Sequence, residues 1–406
     1  MILNNKNLDI SNNFSSKKFE EKKSKKKLAY IKKVFDETIT NIDKKKDSLY
    51  LLSKKFKINF NPKQIKNYQK YKVVVLIGMG GSILGAKAIY NYFENKIRKK
   101  FIFVDNLDEK KIIELRKLNF NNVLFIFISK SGNTLETLTN INLIFKPKHN
   151  FRNTIIVTER KNNSLYNFSK RKRILLIEHK NYIGGRFSVF SEVGILPALI
   201  MGLNVNQLRK NFLSCVKGKN KNKMIKNLSS LFEVYSSKKI NSIIFLNYSS
   251  NLNDFVYWCQ QLISESLGKK GKGILPVISL GPKDHHSLLQ LFLDGPKDKL
   301  FYIFSSKSLN KIYNRNNFFG NSQKFLSKKS LENILIAQKN SLITVLKRKN
   351  ISFKQILVKN NNLETLGELF SYFIIETVIL GKCLRINPFD QPAVEEVKKL
   401  TKKFLS

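Results

Sequence analysis

Apolar residues recur along this chain at two different periods, and the alternation between them divides it. From Tyr71 onward, short β-branched or aromatic runs alternate with segments whose apolar positions repeat every three or four residues. The strand-like runs are VVVLIG at 73–78, FIFVDN at 101–106, VLFIFIS at 123–129, TIIVTE at 154–159 and ILLIEH at 174–179. Unbroken apolar runs of this length predict strands buried on both faces, and helix-length segments between them predict a doubly wound parallel sheet. The rhythm breaks in the basic, polar stretch Asn204 to Lys226. It resumes with SIIFLNY at 242–248, LPVISLG at 275–281, LFYIFS at 300–305 and QILVK at 355–359. The pattern therefore predicts an α/β protein with two similar doubly wound parallel-sheet domains, over residues 61–210 and 211–406, with a linker near 205–235. Residues 1–60 lack glycine and carry a helical apolar stripe in AYIKKVFDETITNI, which predicts a helical lead-in. A last helix is expected over Ala393–Leu405, after the turn NPFDQP.

Composition changes this picture little. At 406 residues, 42% of them hydrophobic, the chain has room for two cores and is globular rather than disordered. Its net charge of +45 invites a nucleic-acid reading, but the lysines are spread through nearly every segment instead of gathering on one face. No specific nucleic-acid binding is expected, only salt-sensitive adhesion to polyanions. Met1 to Asn13 has no apolar core followed by a small-residue cleavage site. Leu369 to Leu380 is short for a bilayer and contains Glu376, so it reads as a buried helix and no membrane association is expected. Cys215, Cys259 and Cys383 lie far apart without metal-ligand spacing, which makes a reducing cytoplasm the simplest compartment.

Chemistry enters at Val73 to Leu84, VVVLIGMGGSIL. A strand ends abruptly in Gly78, Gly80 and Gly81, and Ser82 opens a helical segment. A strand, a glycine turn and a helix N-terminus together favour an anion, through free backbone N–H groups and the helix dipole. A dinucleotide fingerprint would need glycine where Ile83 stands, although Asp105 sits where a ribose-binding acid could lie. A P-loop is excluded, since GKKGKG at 268–273 is followed by Ile274 and not by lysine. The third strand ends in Ser129, Lys130, Ser131, Gly132, Asn133 and Thr134 before another helical segment. Three hydroxyls, an ammonium and a glycine at such a turn suit a tetrahedral anion, whereas an ordinary N-cap needs one hydroxyl. With Ser82 on the neighbouring turn, the pair reads as a phosphate site.

Six motifs in order then give a family resemblance. GMGGS at 78–82 and SKSGNTLET at 129–137 resemble the phosphate-binding turns of sugar isomerase domains. YIGGRFSVFSEVGILP at 182–197, ESLGKKGKG at 265–273, DHHSLLQLFLDGP at 284–296 and FDQPAVEEVKK at 389–399 resemble the remaining signatures of the glucose-6-phosphate isomerases, in their compact bacterial form. The likeness runs from about residue 70 to the end. It departs at Met79, where the family usually has isoleucine, which hardly affects a site built from backbone.

The resemblance implies two sugar isomerase domains and reversible interconversion of glucose 6-phosphate and fructose 6-phosphate through an enediol, with neither cofactor nor metal. Such a reaction needs a base that moves a proton between adjacent carbons, a cation for the enediolate oxygen, and an acid/base pair to open the ring. On its own Glu265, in YWCQQLISESLGK, would read as a surface carboxylate; the resemblance makes it the proton-transfer base. Arg186 follows two glycines and would steady the enediolate. Of the adjacent pair His285 and His286, the resemblance assigns ring opening to His286, with Lys398 as partner. Gly81, Ser82, Ser129, Lys130, Ser131 and Thr134 would bind the phosphate, and Gln261 and Gln391 would contact phosphate and hydroxyls. The resemblance also implies a homodimer with shared sites, each taking His286 from the neighbouring subunit. Two alternatives stand beside this reading: a noncatalytic sugar-phosphate-binding regulator, which could dispense with Glu265, and an isomerase that also acts on mannose 6-phosphate.

Overall fold

Nine of the apolar runs become parallel strands. The computed structural model describes residues 2–14, 25–307, 312–316 and 318–406. Two short strands come first, β1 (Leu3–Asn4) and β2 (Leu8–Asn13). The first alternating series gives β3 (Val73–Gly78), β4 (Lys100–Val104), β5 (Val123–Ile128), β6 (Thr154–Thr158) and β7 (Leu175–Glu178). The second gives β8 (Ser242–Asn247), β9 (Leu275–Leu280), β10 (Lys299–Ser306) and β11 (Phe353–Val358).

Strands β3 to β7 form a five-stranded parallel sheet in the order β4-β3-β5-β6-β7. Alternate residues of β3 go to opposite faces, Val74 and Leu76 into a large core and Val75 and Ile77 into a smaller one. Both faces are therefore covered, which is why these strands read as continuous apolar runs. The second sheet has the order β1-β2-β11-β10-β8-β9, parallel from β9 to β11. Both sheets are wound alike. The first strand of each series, β3 or β8, has the second strand on one side and the third on the other, so the chain reverses direction across the sheet there. Open sheets of this kind take ligands at the carboxyl ends of the strands flanking that reversal. The helices that follow the two first strands, Leu84–Phe93 and Asn253–Leu267, pack against each other, and the large core contains residues of both sheets.

Two expectations need correction. The lead-in is helical from Lys25 to Thr40, but residues 3–4 and 8–13 are strand. β2 pairs antiparallel with β11, Leu8 opposite Val358 and Asn13 opposite Phe353, so the start of the chain completes the second sheet. Leu3, Leu8 and Ile10 are fully buried there, but three apolar residues among asparagines make too short a pattern to show a period. Residues 1 and 15–24 of the lead-in lie outside the described residues. The expected linker holds a helix, Gly218–Ser237, whose Met224, Ile225, Leu228, Leu231 and Val234 are buried. Lys219, Lys221, Lys223 and Lys226 on its other face make the segment look like a solvated connector. By contrast, the apolar run 369–380 lies within helix Leu363–Cys383, every residue of which except Lys382 is buried. Among the described residues no helix is long and apolar enough to cross a membrane.

Candidate active site

Arg186 is the centre of the site. It lies in the tight 3-10 turn Gly185–Phe190 and is only 2% exposed. All five of its N–H donors are engaged. Nε donates to Ser266 Oγ at 2.9 Å. Nη1 donates to Glu265 Oε2 at 3.0 Å and to Gln391 Oε1 at 2.9 Å. Nη2 donates to the carbonyl oxygens of Pro388 at 2.6 Å and Asp390 at 3.0 Å. Burial pulls the guanidinium pKa down and the carboxylate of Glu265 opposes that pull. A buried cation bonded at every donor cannot swing, so Glu265 meets a positive charge of fixed position. Gln261, one helical turn earlier, donates from Nε2 to Glu265 Oε1 at 2.9 Å. Both carboxylate oxygens are thus aimed, while the Glu265 side chain stays about one-third open, at 30% exposure.

The glycine turn after β3 presses directly on this cluster. A Cβ on Gly81 would stand 2.1 Å from the carbonyl carbon of Gly185, so only glycine lets the two turns meet. Gly80, at φ +51°, faces the amide nitrogen of Gln261 in the same way. Ser188 Oγ donates to the Gly81 carbonyl and Trp258 Nε1 to the Arg186 carbonyl, both at 3.1 Å, which locks the turns to helix Asn253–Leu267.

Beside it, β3 and β5 run in register with Gly78 opposite Ile128, and the Ser129–Thr134 turn therefore ends next to the glycine turn, at the reversal point of the first sheet. Two helices start here, Leu84–Phe93 and Leu135–Ile144, and no side chain caps either one. Asp108, Asn163, Ser191 and Ser330 cap other helices, while those beginning at Gly218, Asn253, Leu289 and Val394 are uncapped as well, so what marks this place is that two such ends meet at the strand reversal. Two uncapped N-termini side by side leave backbone donors and the positive ends of two dipoles for an anion. The hydroxyls divide their work. Ser129 Oγ, buried, bonds Thr134 Oγ1 at 2.8 Å and accepts from the Gly132 amide, which shapes the turn. Ser131 is exposed, and Ser82 and Thr134 are half-buried. Lys130 Nζ donates to the Asn181 carbonyl at 2.7 Å and stands 3.9 Å from Glu159; burial lowers its pKa and Glu159 opposes.

Residues 22–406 match the family described as phosphoglucose isomerase. The chain belongs to the phosphoglucose isomerase family. A glucose-6-phosphate isomerase of Methanocaldococcus jannaschii is 33% identical over 357 residues, covering 84% of this chain and 86% of the relative. One from Campylobacter jejuni is 30% identical over 354 residues, covering 84% and 87%. Among solved structures, a hypothetical protein from Thermus thermophilus superposes with a TM-score of 0.85 at 25% identity, over 98% of this chain and all of that one. A glucose-6-phosphate isomerase of Chlamydia trachomatis, at 22% identity and TM-score 0.70, covers 91% of this chain and 74% of its own, and shares the fold.

Within this family member the structure gathers some of the expected residues and not others. Arg186, Glu265, Gln261 and Gln391 are bonded into one cluster, with Gly81 against it and the turn residues Ser82, Ser129, Lys130, Ser131 and Thr134 at the adjacent strand ends. His286, in the 3-10 turn Lys283–His286, is exposed and bonds none of them. Its neighbour His285 has a structural tie, Nε2 to Tyr248 Oη at 2.6 Å. Lys398 lies on helix Val394–Leu405, which buries no residue, and pairs with Glu395 of its own helix at 2.7 Å.

Sequence reasoning missed Ser266 and the carbonyls of Pro388 and Asp390, all of which hold Arg186. Ser266 stood next to Glu265 in a quoted motif, but a backbone carbonyl leaves no mark in the sequence. Lys269 was also missed: its Nζ donates to the Asp390 carbonyl at 2.6 Å and to Asp390 Oδ1 at 2.8 Å, pinning the segment that carries Gln391. Among the described residues no three His, Cys, Asp or Glu side chains gather as a metal ion would need.

Proposed function

We propose that this phosphoglucose isomerase family member interconverts glucose 6-phosphate and fructose 6-phosphate at the Arg186–Glu265 cluster. The observation that carries the assignment is a carboxylate with both oxygens oriented, one by a fixed guanidinium, beside two uncapped helix N-termini. The turns after β3 and β5 hold the phosphate, through backbone amides, Gly81, Ser82, Ser131 and Thr134, with Ser129 shaping the turn and Lys130 adding charge. That anchoring brings C1 and C2 to Glu265. Its carboxylate takes the C2 proton, the C2–H electron pair becomes the C1=C2 bond, and the carbonyl electrons move to O1. As Glu265 becomes neutral its bond to Nη1 weakens, and the guanidinium's field turns to the new oxyanion. Return of the proton to C1, with the O2 proton passing to O1 and the O2–H electron pair forming the C2 carbonyl, gives the ketose. Gln261 and Gln391 hold the carboxylate and the sugar hydroxyls in place.

Ring opening falls to His286 with Lys398, the histidine coming from a second copy of the chain and Lys398 from the same chain as Glu265. Two observations support a homodimer with shared sites. His286 makes no bond to the cluster of its own chain, and helix Val394–Leu405 leaves Val397, Phe404 and Leu405 at least 65% exposed. In each site His286 would come from the neighbouring subunit. The three cysteines are buried and unpaired, which supports a reducing, cytoplasmic setting. A coupled assay of the purified protein with fructose 6-phosphate, with and without a chelator, tests the function. Turnover unaffected by the chelator is expected. Binding without turnover would instead make the protein a sugar-phosphate regulator, and turnover of mannose 6-phosphate in the same assay would widen its specificity.

A further inference from the structure

The second sheet has its own reversal point, between β8 and β10, and a cavity opens there. It has a volume of about 570 Å³ and touches neither Arg186 nor Glu265. That volume suits a small metabolite. The loops after β8 and β10 supply its polar wall. Tyr248 N bonds the Phe304 carbonyl at 2.9 Å, which sets the two loops side by side. The hydroxyls of Ser249 and Ser306 bond each other, and Asn251 Oδ1 accepts from Ser249 Oγ at 2.7 Å.

Into this wall comes Lys339, from helix Leu331–Arg348. It is 9% exposed, and its ammonium has one polar partner among the described residues, Ser305 Oγ at 3.3 Å. Glu94 and Glu332 also line the cavity, and neither pairs with Lys339. A buried ammonium without a carboxylate is costly, and burial pulls its pKa down with no opposing charge. The other lysine buried among the described residues, Lys354, is held by Glu376 at 2.6 Å. Lys339 thus has the position and charge of a group awaiting an anion. Its place also matches the first sheet: Ser305, Ser306 and Lys307 end the third strand of the second series as Ser129, Lys130 and Ser131 end that of the first. This last parallel rests on the phosphate reading above; the cavity and Lys339 do not.

We propose that the cavity at the β8–β10 reversal is a second anion site, which takes a phosphate monoester of hexose size with its phosphoryl group on Lys339, Ser305 and Ser249. Leu335 and Ile336 of the cavity wall face the rest of such a ligand. The phosphoryl oxygens accept from the ammonium and the Ser305 hydroxyl, and from Ser249 once its proton turns from Asn251 Oδ1 to the ligand, which replaces the missing counter-charge.

Calorimetric titration of the full-length protein with inorganic phosphate, and separately with 2-deoxyglucose 6-phosphate, tests this; the latter lacks the C2 hydroxyl that isomerisation needs. Two sites per chain are expected for the ester. In Lys339→Met one of them weakens by about tenfold or more, while turnover at saturating fructose 6-phosphate stays within about twofold. Binding of inorganic phosphate but not of the ester at the Lys339-dependent site would overturn the ester assignment. The double variant Lys130→Ala with Ser131→Ala must keep the Lys339-dependent site. If it loses no site while Lys339→Met loses one, the second site stands and the phosphate reading of the first sheet fails. A single site in the wild type, lost in the Lys130/Ser131 variant, overturns the proposal. So do two sites unchanged in Lys339→Met. Should Lys339→Met not fold, Ser305→Ala, which removes only a hydroxyl, carries the same expectation of a selectively weakened second site.

Discussion

Arg186 and Lys398 carry the same charge in opposite circumstances. The guanidinium is enclosed, with every donor bonded within its own chain. The ammonium of Lys398 is on an exposed helix, paired with a carboxylate three residues away, and His286 is similarly exposed. Exposed pairs of that kind contribute little and hold nothing in position. One part of the candidate machinery is fixed in place by folding, and the other is not. On the function proposed above, proton transfer between the sugar carbons would depend on intrachain packing, while ring opening would depend on association.

Removing the base alone gives the largest expected effect on the enclosed half. Glu265→Gln keeps the shape and one of the two accepting oxygens but accepts no proton, so kcat should fall about 100-fold or more while a sugar-phosphate inhibitor still binds. Near-native turnover would remove Glu265 from the mechanism. The exposed half is tested by mixing inactive His286→Ala homodimers with inactive Glu265→Gln homodimers under subunit exchange. In each heterodimer one site would inherit both lesions and the other none, so up to about half of the wild-type activity should return. No recovery, with exchange verified by mass, would mean that the site is not shared.

Next in size is the phosphate anchor, remote from the reacting carbons. Lys130→Ala with Ser131→Ala should raise KM about tenfold or more and change kcat much less. Unchanged affinity for a sugar-phosphate inhibitor would sink that assignment. The smallest effect separates buried from exposed histidines. His179 is 1% exposed, and burial pushes its pKa down to about 4. The unfolded chain then binds more protons than the folded one between about pH 6.5 and 4, so stability falls as pH falls through that window. From pH 6.5 to 5.5 the loss should be about 1 kcal/mol. Denaturant melts at the two pH values check it: His179→Gln should flatten the slope and His286→Gln should not, and equal slopes in all three proteins would contradict the burial argument.

Sequence pattern located all nine strands of the two parallel arrays to within a few residues, because strands covered on both faces leave unbroken apolar runs. It failed at β1 and β2, where edge strands rich in asparagine carry only alternate apolar positions, and at helix Gly218–Ser237, where lysines on the solvent face hide a buried stripe. The glycine and serine turns were legible because turn geometry restricts residue type. Glu265 and Arg186 were legible only through resemblance, since a lone carboxylate and a lone arginine have no local signature. The carbonyls of Pro388 and Asp390 that complete the shell around Arg186 were not legible at all, because any residue supplies a carbonyl.

The pairing of β2 with β11 has a consequence in time. Leu8 meets Val358, so the second sheet keeps one edge open until about 350 residues more have been made. At roughly 5–20 residues per second, Leu8 and Ile10 wait on the order of twenty to seventy seconds for their partner during synthesis. Until then the apolar side chains of β2 are available to any other strand edge. The short length of β1 and β2, and the asparagines at positions 4, 5, 7, 12 and 13, make that early segment a poor template for the wrong neighbour during the wait.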